Sequence, residues 1–252
     1  MKGTNYKGQF IAKTDIGLVR STNEDQATAL INASGNVLLC VCDGMGGHNK
    51  GDYASKLAID IIAEEFKKKN GFLSSVSVRR WMAITMRKVN KEIFDKAQKS
   101  PAYNGMGTTV VMAVLYNDSL FLVNAGDSRA YFLRKKGLQQ LSEDQTYVEY
   151  LYATGKINEE ERETSSQRHI LMNAVGTFPS VSFGYKTYPN NGFPILLCSD
   201  GLYNNATESE IHSALSTSER IDQKIDTLIS VAKSHGGSDN IGIAYWEAYK
   251  HD

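Results

Sequence analysis

Short acidic motifs recur along the chain where an apolar, strand-like run meets a turn. They read Arg20-Ser21-Thr22-Asn23-Glu24-Asp25, Asp43-Gly44-Met45-Gly46-Gly47-His48, Ser199-Asp200-Gly201 and Ser238-Asp239-Asn240. Carboxylates at strand ends can converge in a folded sheet even when they are far apart in sequence. Like charges at close range raise one another's pKa, so such a cluster needs cations to stay ionised. The pattern predicts a carboxylate site for divalent metal ions and, with it, a metal-dependent hydrolase.

Asp43 is the central residue of this pattern. It follows the apolar run 37–42 and enters a loop that contains three glycines. Glycine permits positive φ and close backbone approach, so the loop can present carbonyl oxygens beside the carboxylate. A lone Asp-Gly pair at a strand end is usually only a turn, but four acidic strand ends in one chain favour a site. Oxygen-only ligands favour Mg²⁺ or Mn²⁺ over zinc.

Composition narrows the choice of function. The 252 residues carry 28 basic and 28 acidic side chains, without the basic excess of most nucleic-acid-binding proteins. No apolar run approaches the roughly 20 residues of a membrane span, and no targeting segment is apparent. Sustained heptads are also absent. We therefore expect a cytoplasmic monomer that binds neither nucleic acid nor membrane.

Three cysteines, Cys40, Cys42 and Cys198, lie in apolar runs and form no C-x-x-C pair. The simpler interpretation is that they are reduced core residues. The alternative is that Cys42 and Cys198, close to predicted ligands, sense oxidation.

The order of predicted elements indicates the fold class. Strands are predicted at 9–14, 26–31, 37–42, 108–116, 119–124, 130–133, 138–141, 181–187, 193–198 and 240–246, and helices at 53–69, 78–97, 208–215 and 220–235. Trp81, Ile84, Val89 and Ile93 are predicted to face inward from the second helix. Because helices come in pairs, we expect an α+β fold in which a two-sheet β-sandwich is flanked by pairs of antiparallel helices, a four-layer αββα arrangement. The polar stretch at about residues 143–180 reads as a small helical flap inserted into a single domain, 1–252.

Five motifs together give the chain a specific resemblance. Asn23-Glu24-Asp25, Asp43-Gly44-Met45-Gly46-Gly47, Ala125-Gly126-Asp127-Ser128-Arg129, Ser199-Asp200-Gly201 and Asp239-Asn240 occur in the order and rough spacing of one family. That family is the metal-dependent protein phosphatases, the type 2C serine/threonine phosphatases, and the chain most resembles its compact bacterial branch. The resemblance covers roughly residues 9–246.

The resemblance implies an activity and a set of ligands. It implies hydrolysis of phosphoserine and phosphothreonine on proteins by a water that two Mn²⁺ or Mg²⁺ ions activate, with a weaker third ion possible. Metal ligands are implied at Glu24, Asp25, Asp43, Gly44, Asp127, Asp200 and Asp239.

Individual roles also follow from the resemblance. Asp43 would bridge the two ions, Asp127 would bind the third ion, and Arg20 would grip the substrate phosphate. His48 is a candidate proton donor to the leaving group, although a role in bracing the loop and a metal-bound water as donor are alternatives. Bacterial signalling partners are implied, including a serine/threonine kinase or its targets.

Differences from the family lie in the flap. Bacterial relatives commonly have histidine at Gln145, His-Pro at Ser165-Ser166 and arginine at Asn173. This leaves open a pseudophosphatase that binds phosphoproteins without turnover. A third interpretation is a metal-dependent phosphodiesterase, which the neutral charge disfavours because a polyanionic substrate calls for a basic surface.

Overall fold

The computed structural model describes residues 7–46 and 50–249. Over this range the chain forms eleven strands: β1 (Gly8–Asp15), β2 (Asp25–Ile31), β3 (Val37–Met45), β4 (Gly107–Thr108), β5 (Val110–Tyr116), β6 (Ser119–Ala125), β7 (Arg129–Arg134), β8 (Gly137–Gln140), β9 (Gly184–Pro189), β10 (Ile195–Cys198) and β11 (Ile241–Ala248). The same residues form seven α-helices: α1 (Lys50–Lys67), α2 (Ser75–Lys99), α3 (Tyr147–Ala153), α4 (Glu159–Thr164), α5 (Asp200–Tyr203), α6 (Glu208–Leu215) and α7 (Ile221–Ser234).

The strands form two antiparallel sheets that pack face to face. One sheet has the order β1-β11-β10-β7-β8, and the other has the order β2-β3-β5-β6-β9, with β4 paired to β3. Side chains alternate along each strand. In β3, Leu39 and Val41 pack between the sheets, whereas Leu38 and Cys40 face α1 and α2. A third apolar cluster joins α6 and α7 to the first sheet. These layers confirm the predicted four-layer αββα fold.

Helix α2 begins with a capping box at Ser74, whose side chain accepts a hydrogen bond from the Ser77 N–H. Its buried stripe includes Trp81, Val89 and Ile93, as predicted. The prediction for Ile84 was wrong, because its side chain is 53% exposed. Residues 78, 82, 85, 89 and 93 follow the helical period, and position 84 lies on the opposite side of the helix.

Several element boundaries differ from the predictions. The first two helices are 50–67 and 75–99 instead of 53–69 and 78–97. The strand predicted at 181–187 is β9 at 184–189, and the strand predicted at 193–198 starts at Ile195. Pro194 precedes that start and has no N–H to donate to a sheet. The predicted short helices of the insertion are α3 and α4, each capped by the residue before it, Thr146 or Asn158.

The three cysteines belong to the core of the fold. All three cysteines are free and buried, and burial raises the pKa of the Cys42 thiol and that of Cys198 to about 12. Thiols with raised pKa carry little reactive thiolate, which favours the core role over oxidation sensing.

Within the described residues, no helix has both the length and the apolar character needed to cross a bilayer.

Two isoleucines of α2 allow a matched test of the packing. We expect Ile93→Ala, at a fully buried position, to lower the free energy of unfolding by about 2–5 kcal/mol because it leaves a cavity. Ile84→Ala, on the exposed side of the same helix, should change it by less than about 0.5 kcal/mol. Urea denaturation measures both, and equal losses would contradict the packing described for α2.

Candidate active site

The acidic strand ends predicted to converge do meet, at one end of the sandwich. β2 and β11 begin there, and β3 and β10 end there. The cleft between them has a volume of about 630 Å³. Most of the predicted site residues line it: Arg20, Glu24, Asp43, Gly44, Asp127, Asp200 and Asp239. His48 lies outside the described residues.

Asp43 is held through its backbone. Its N–H donates to Thr109 Oγ1 at 3.0 Å, and its carbonyl accepts from the Thr109 N–H at 2.8 Å and from Thr108 Oγ1 at 2.9 Å. These bonds tie the end of β3 to the start of β5. The sequence reasoning missed both threonines, whose only signal is their position before an apolar run.

Asp25 lies behind the cleft and connects the two sheets. Its Cα is the register partner of Asp43, and its side chain is only 1% exposed. Its Oδ2 accepts a hydrogen bond from Ser199 Oγ at 2.6 Å, and Ser199 Oγ accepts one from the Gly242 N–H at 2.8 Å. A carboxylate of the six-stranded sheet is thus anchored to the end of β10 and the start of β11.

At two positions of the motifs, another backbone segment comes so close that only glycine fits. A Cβ at Gly201 would lie 1.9 Å from the Asn240 carbonyl oxygen, and a Cβ at Gly44 would lie 2.0 Å from the Gly51 carbonyl oxygen. The Asp-Gly pairs therefore serve the site in two ways. The aspartate supplies a carboxylate, and the glycine lets the neighbouring segment approach.

The carboxylates raise one another's pKa. Burial raises the pKa of Asp43 well above its usual range, and repulsion from Asp25 and Asp200 adds to this. Burial, together with repulsion from Asp200, raises the pKa of Asp127 to about 7. Burial and repulsion from Asp200 and Asp239 raise that of Asp25 to about 8, although the Ser199 hydrogen bond opposes the rise. Cations in the cleft would relieve this repulsion and keep the carboxylates ionised.

Arg20 lies at the rim of the cleft. Its NH2 donates to Asp239 Oδ2 at 2.7 Å, and half of its side chain is exposed. Asn240 holds the loop that carries Arg20, since its Nδ2 donates to the Ile16 and Thr22 carbonyls, each at 2.9 Å. The motif Ser238-Asp239-Asn240 therefore includes a positioning amide that the sequence reasoning did not assign.

The flap forms the opposite side of the cleft. Arg168, His169 and Leu171 line it, and the sequence analysis assigned none of the three to the site. Two of the flap positions that differ from the family contact each other, because Asn173 Nδ2 donates to Gln145 Oε1 at 2.5 Å. The same Gln145 oxygen accepts from the Gly126 N–H at 3.1 Å, which ties the flap to the loop before Asp127.

The residues present fit a divalent metal ion. The donors are carboxylate and carbonyl oxygens, the chemistry that Mg²⁺ and Mn²⁺ prefer. Within residues 7–46 and 50–249, no three side chains of His, Cys, Asp or Glu are gathered closely enough to form a finished ion cage. Neighbours engage several of the carboxylates: Arg20 binds Asp239, and Asn204 Nδ2 donates to Asp200 Oδ2 at 3.1 Å.

Known proteins resemble the chain over nearly its whole length. The family model for protein phosphatase 2C matches residues 19–241. The serine/threonine phosphatase stp of Listeria monocytogenes is 36% identical over 232 residues, which cover 92% of each chain. Protein phosphatase PhpP of Streptococcus pneumoniae is 32% identical over 234 residues, which cover 92% of this chain and 94% of PhpP.

Solved structures agree with these relatives. Serine/threonine phosphatase Stp1 from Staphylococcus aureus is 32% identical, with a TM-score of 0.89 over 98% of this chain and 97% of Stp1. The serine/threonine phosphatase PstP/Ppp of Mycobacterium tuberculosis is 32% identical, with a TM-score of 0.86 over 96% of this chain and 99% of that one. The chain belongs to the protein phosphatase 2C family, whose members depend on metal ions.

The contact at Gly201 gives a test of the site. We expect Gly201→Ala to weaken Mn²⁺ binding at least about tenfold, because the new methyl group pushes apart the segments that carry Asp200 and Asp239; tenfold corresponds to about 1.4 kcal/mol. Isothermal titration calorimetry measures the binding. Gly35→Ala is the control: its φ is +78° with open space around it, so it should cost about 1–2 kcal/mol of stability and leave Mn²⁺ binding unchanged. Unaltered binding in Gly201→Ala would contradict the close contact.

Proposed function

We propose that the chain hydrolyses phosphoserine and phosphothreonine esters on proteins as a metal-dependent serine/threonine phosphatase. The observation that carries the proposal is the convergence of Asp43, Asp127, Asp200 and Asp239 on one cleft with Arg20 at its rim. Membership of the protein phosphatase 2C family supports the same activity. We further propose that residues 1–252 act as one catalytic domain.

The proposed metal ligands divide into two sets. Asp43, with Asp200 and Asp239, would hold one ion, and Asp43 with the Gly44 carbonyl, Glu24 and Asp25 would hold a second, directly or through water. Asp127 would hold a weaker third ion. Bound there, Mn²⁺ or Mg²⁺ supplies positive charge that lowers the pKa of water and offsets the charge of the phosphate.

Arg20 is suited to bind the substrate phosphate. Its guanidinium offers a planar set of donors, and only its contact with Asp239 uses them among the described side chains. The half-exposed position lets two phosphate oxygens accept hydrogen bonds from the remaining N–H groups. Those bonds would hold the ester in line for attack by water and stabilise charge on the equatorial oxygens.

Two other functions are less well supported. A pseudophosphatase is expected to lack at least one metal carboxylate, and every one that the resemblance requires is present in the sequence. A phosphodiesterase acting on a polyanion is disfavoured by the equal numbers of acidic and basic residues.

A serine/threonine kinase or its targets remain the proposed partners, and His48 remains a candidate proton donor.

Removing the carboxylate of Asp43 is the first test. We expect Asp43→Ala to lose at least about 10³-fold in kcat, the scale seen when a central electrostatic group is removed. Phosphate release from a phosphothreonine peptide with Mn²⁺ measures this, and excess chelator should abolish release by the wild type. Asp222→Ala, at the exposed start of α7, is the control. Full activity in Asp43→Ala would rule out the proposed site.

The role of Arg20 is tested separately. We expect Arg20→Ala to raise the KM for the same phosphopeptide at least about tenfold, since a charge-assisted hydrogen bond contributes about 1.5–3 kcal/mol. Arg220→Ala, at a position 80% exposed, should leave KM unchanged. An unaltered KM in Arg20→Ala would show that this side chain does not contact phosphate.

A further inference from the structure

A second groove, of about 490 Å³, lies between helix α2 and the outer strand β9. We call it the α2–β9 groove. Its lining includes Arg79, Met82, Ala83, Phe121, Tyr185 and Lys186. None of these residues lines the active-site cleft. The groove is therefore a separate surface feature with its own chemistry.

The groove exists because the helix layer is narrower than the sheet beneath it. α1 lies over β2 and β3, and α2 lies over β5 and β6, so β9 is less covered on this side than the strands next to it. Tyr185 of β9 remains 44% exposed. Its ring packs edge-on against Phe183, with the centroids 6.2 Å apart. The exposed part of the Tyr185 ring is thus open aromatic surface beside α2.

The charges at the groove are all positive. The guanidinium carbon of Arg79 lies 5.7 Å from the centroid of the Phe121 ring, and its NH2 donates to Thr187 Oγ1 at 3.3 Å. Lys186 is the register partner of Leu122, which packs between the sheets, so its side chain pairs with Glu143 on the other face of β9 and adds no charge beside α2. No carboxylate is among the residues that line the groove.

Arg87 extends this basic surface by two turns of α2. Arg87 is exposed and follows Arg79 and Ala83 at i, i+4 spacing along α2, so it lies on the side of the helix that faces the groove. Among the described carboxylates, none forms an ion pair with Arg79 or Arg87. In a chain whose formal charges balance, two unpaired arginines beside open aromatic surface indicate an acidic partner.

The outer edge of β9 can orient a bound peptide. β9 pairs with β6 on one side and is the last strand of its sheet over the described residues. The N–H and C=O groups of a free strand edge can pair with an added strand. Side chains of that strand would alternate between the groove and solvent.

We propose that the α2–β9 groove binds an extended, acidic segment of a protein partner. The segment adds to the edge of β9 and places an aromatic or aliphatic side chain against Tyr185 and Ala83. Its carboxylates pair with Arg79 and Arg87. This site does not depend on the phosphatase activity proposed above.

Fluorescence anisotropy tests the proposal with a fluorescein-labelled peptide in which aspartate alternates with valine around a central phenylalanine. We expect the wild-type chain to bind it, and binding to weaken with added salt. The double variant Arg79→Glu/Arg87→Glu should bind at least about tenfold more weakly, a loss of about 1.4 kcal/mol. Ala83→Glu, which places a carboxylate in the groove wall, should also weaken binding.

Arg80→Glu is the matched control. Arg80 is exposed on the same helix but does not line the groove, so the same charge reversal should leave binding unchanged. A peptide with lysine in place of aspartate should prefer the double variant to the wild type. Circular dichroism checks that each variant is folded, and because the binding assay contains no metal or substrate, its result is independent of phosphate release.

Three results would overturn the proposal. The first is no binding of the acidic peptide to the wild type. The second is equal binding by the wild type, the double variant and Ala83→Glu. The third is that the charge reversals abolish binding of a single-stranded RNA oligonucleotide or of vesicles containing anionic lipid, while the peptide does not bind.

Discussion

The hydrogen bond from Ser199 to Asp25 is the contact on which the site depends. It joins the beginning of β2 in one sheet to the end of β10 in the other, across 174 positions of sequence. The serine in turn receives the Gly242 N–H from β11. The two sheets pack through their apolar faces, and this link helps to hold their acidic ends at one depth.

The Ser199–Asp25 hydrogen bond forms although burying several aspartates close together costs free energy. Asp25, Asp43, Asp127 and Asp200 all have raised pKa values, because burial and mutual repulsion both disfavour their charged forms. The three apolar clusters offset the cost by holding the layers together away from the cleft. The chain thus separates two tasks in space: the middle of the sandwich supplies stability, and one end accepts unfavourable charge for the sake of cation binding.

Much of this could be predicted from the sequence because the main signals are local. The strand at β3 and the helix at α2 depend on neighbouring residues, and both were predicted close to where they lie. Ile84 was misplaced because an apolar residue near a helical stripe does not reveal which side of the helix meets the sheet. The boundaries around β9 and β10 were missed because a run of β-forming residues does not show where strand pairing starts.

At the site, Asp25, Asp43, Asp200 and Asp239 could be predicted because each stands at a recognisable strand end, whereas Asp127 was implied only by the resemblance to the family. The residues that hold the aspartates in place could not be predicted from the sequence. Thr109, Asn240 and Gln145 act through contacts with distant segments, and single threonines, asparagines and glutamines carry no spacing pattern. His169 reaches the cleft only because the flap folds back over it, which periodicity cannot show. The metal ligand assignments and the role of His48 as a candidate proton donor remain predictions.

The pairing of β1 with β11 has a consequence for how the chain acquires its site. Gly8 lies opposite Ala248 and Asp15 opposite Ile241, so the first strand finds its partner only after the last has been made. Contacts between such distant residues form slowly, because the intervening chain must first lose much of its freedom. On the ribosome, the six-stranded sheet can begin to assemble early, whereas the second sheet and the cleft cannot form until β11 has been synthesised and has left the ribosome. A nascent chain can therefore bring Asp25 and Asp43 together early, whereas Asp200 and Asp239 join them only in a late step of folding.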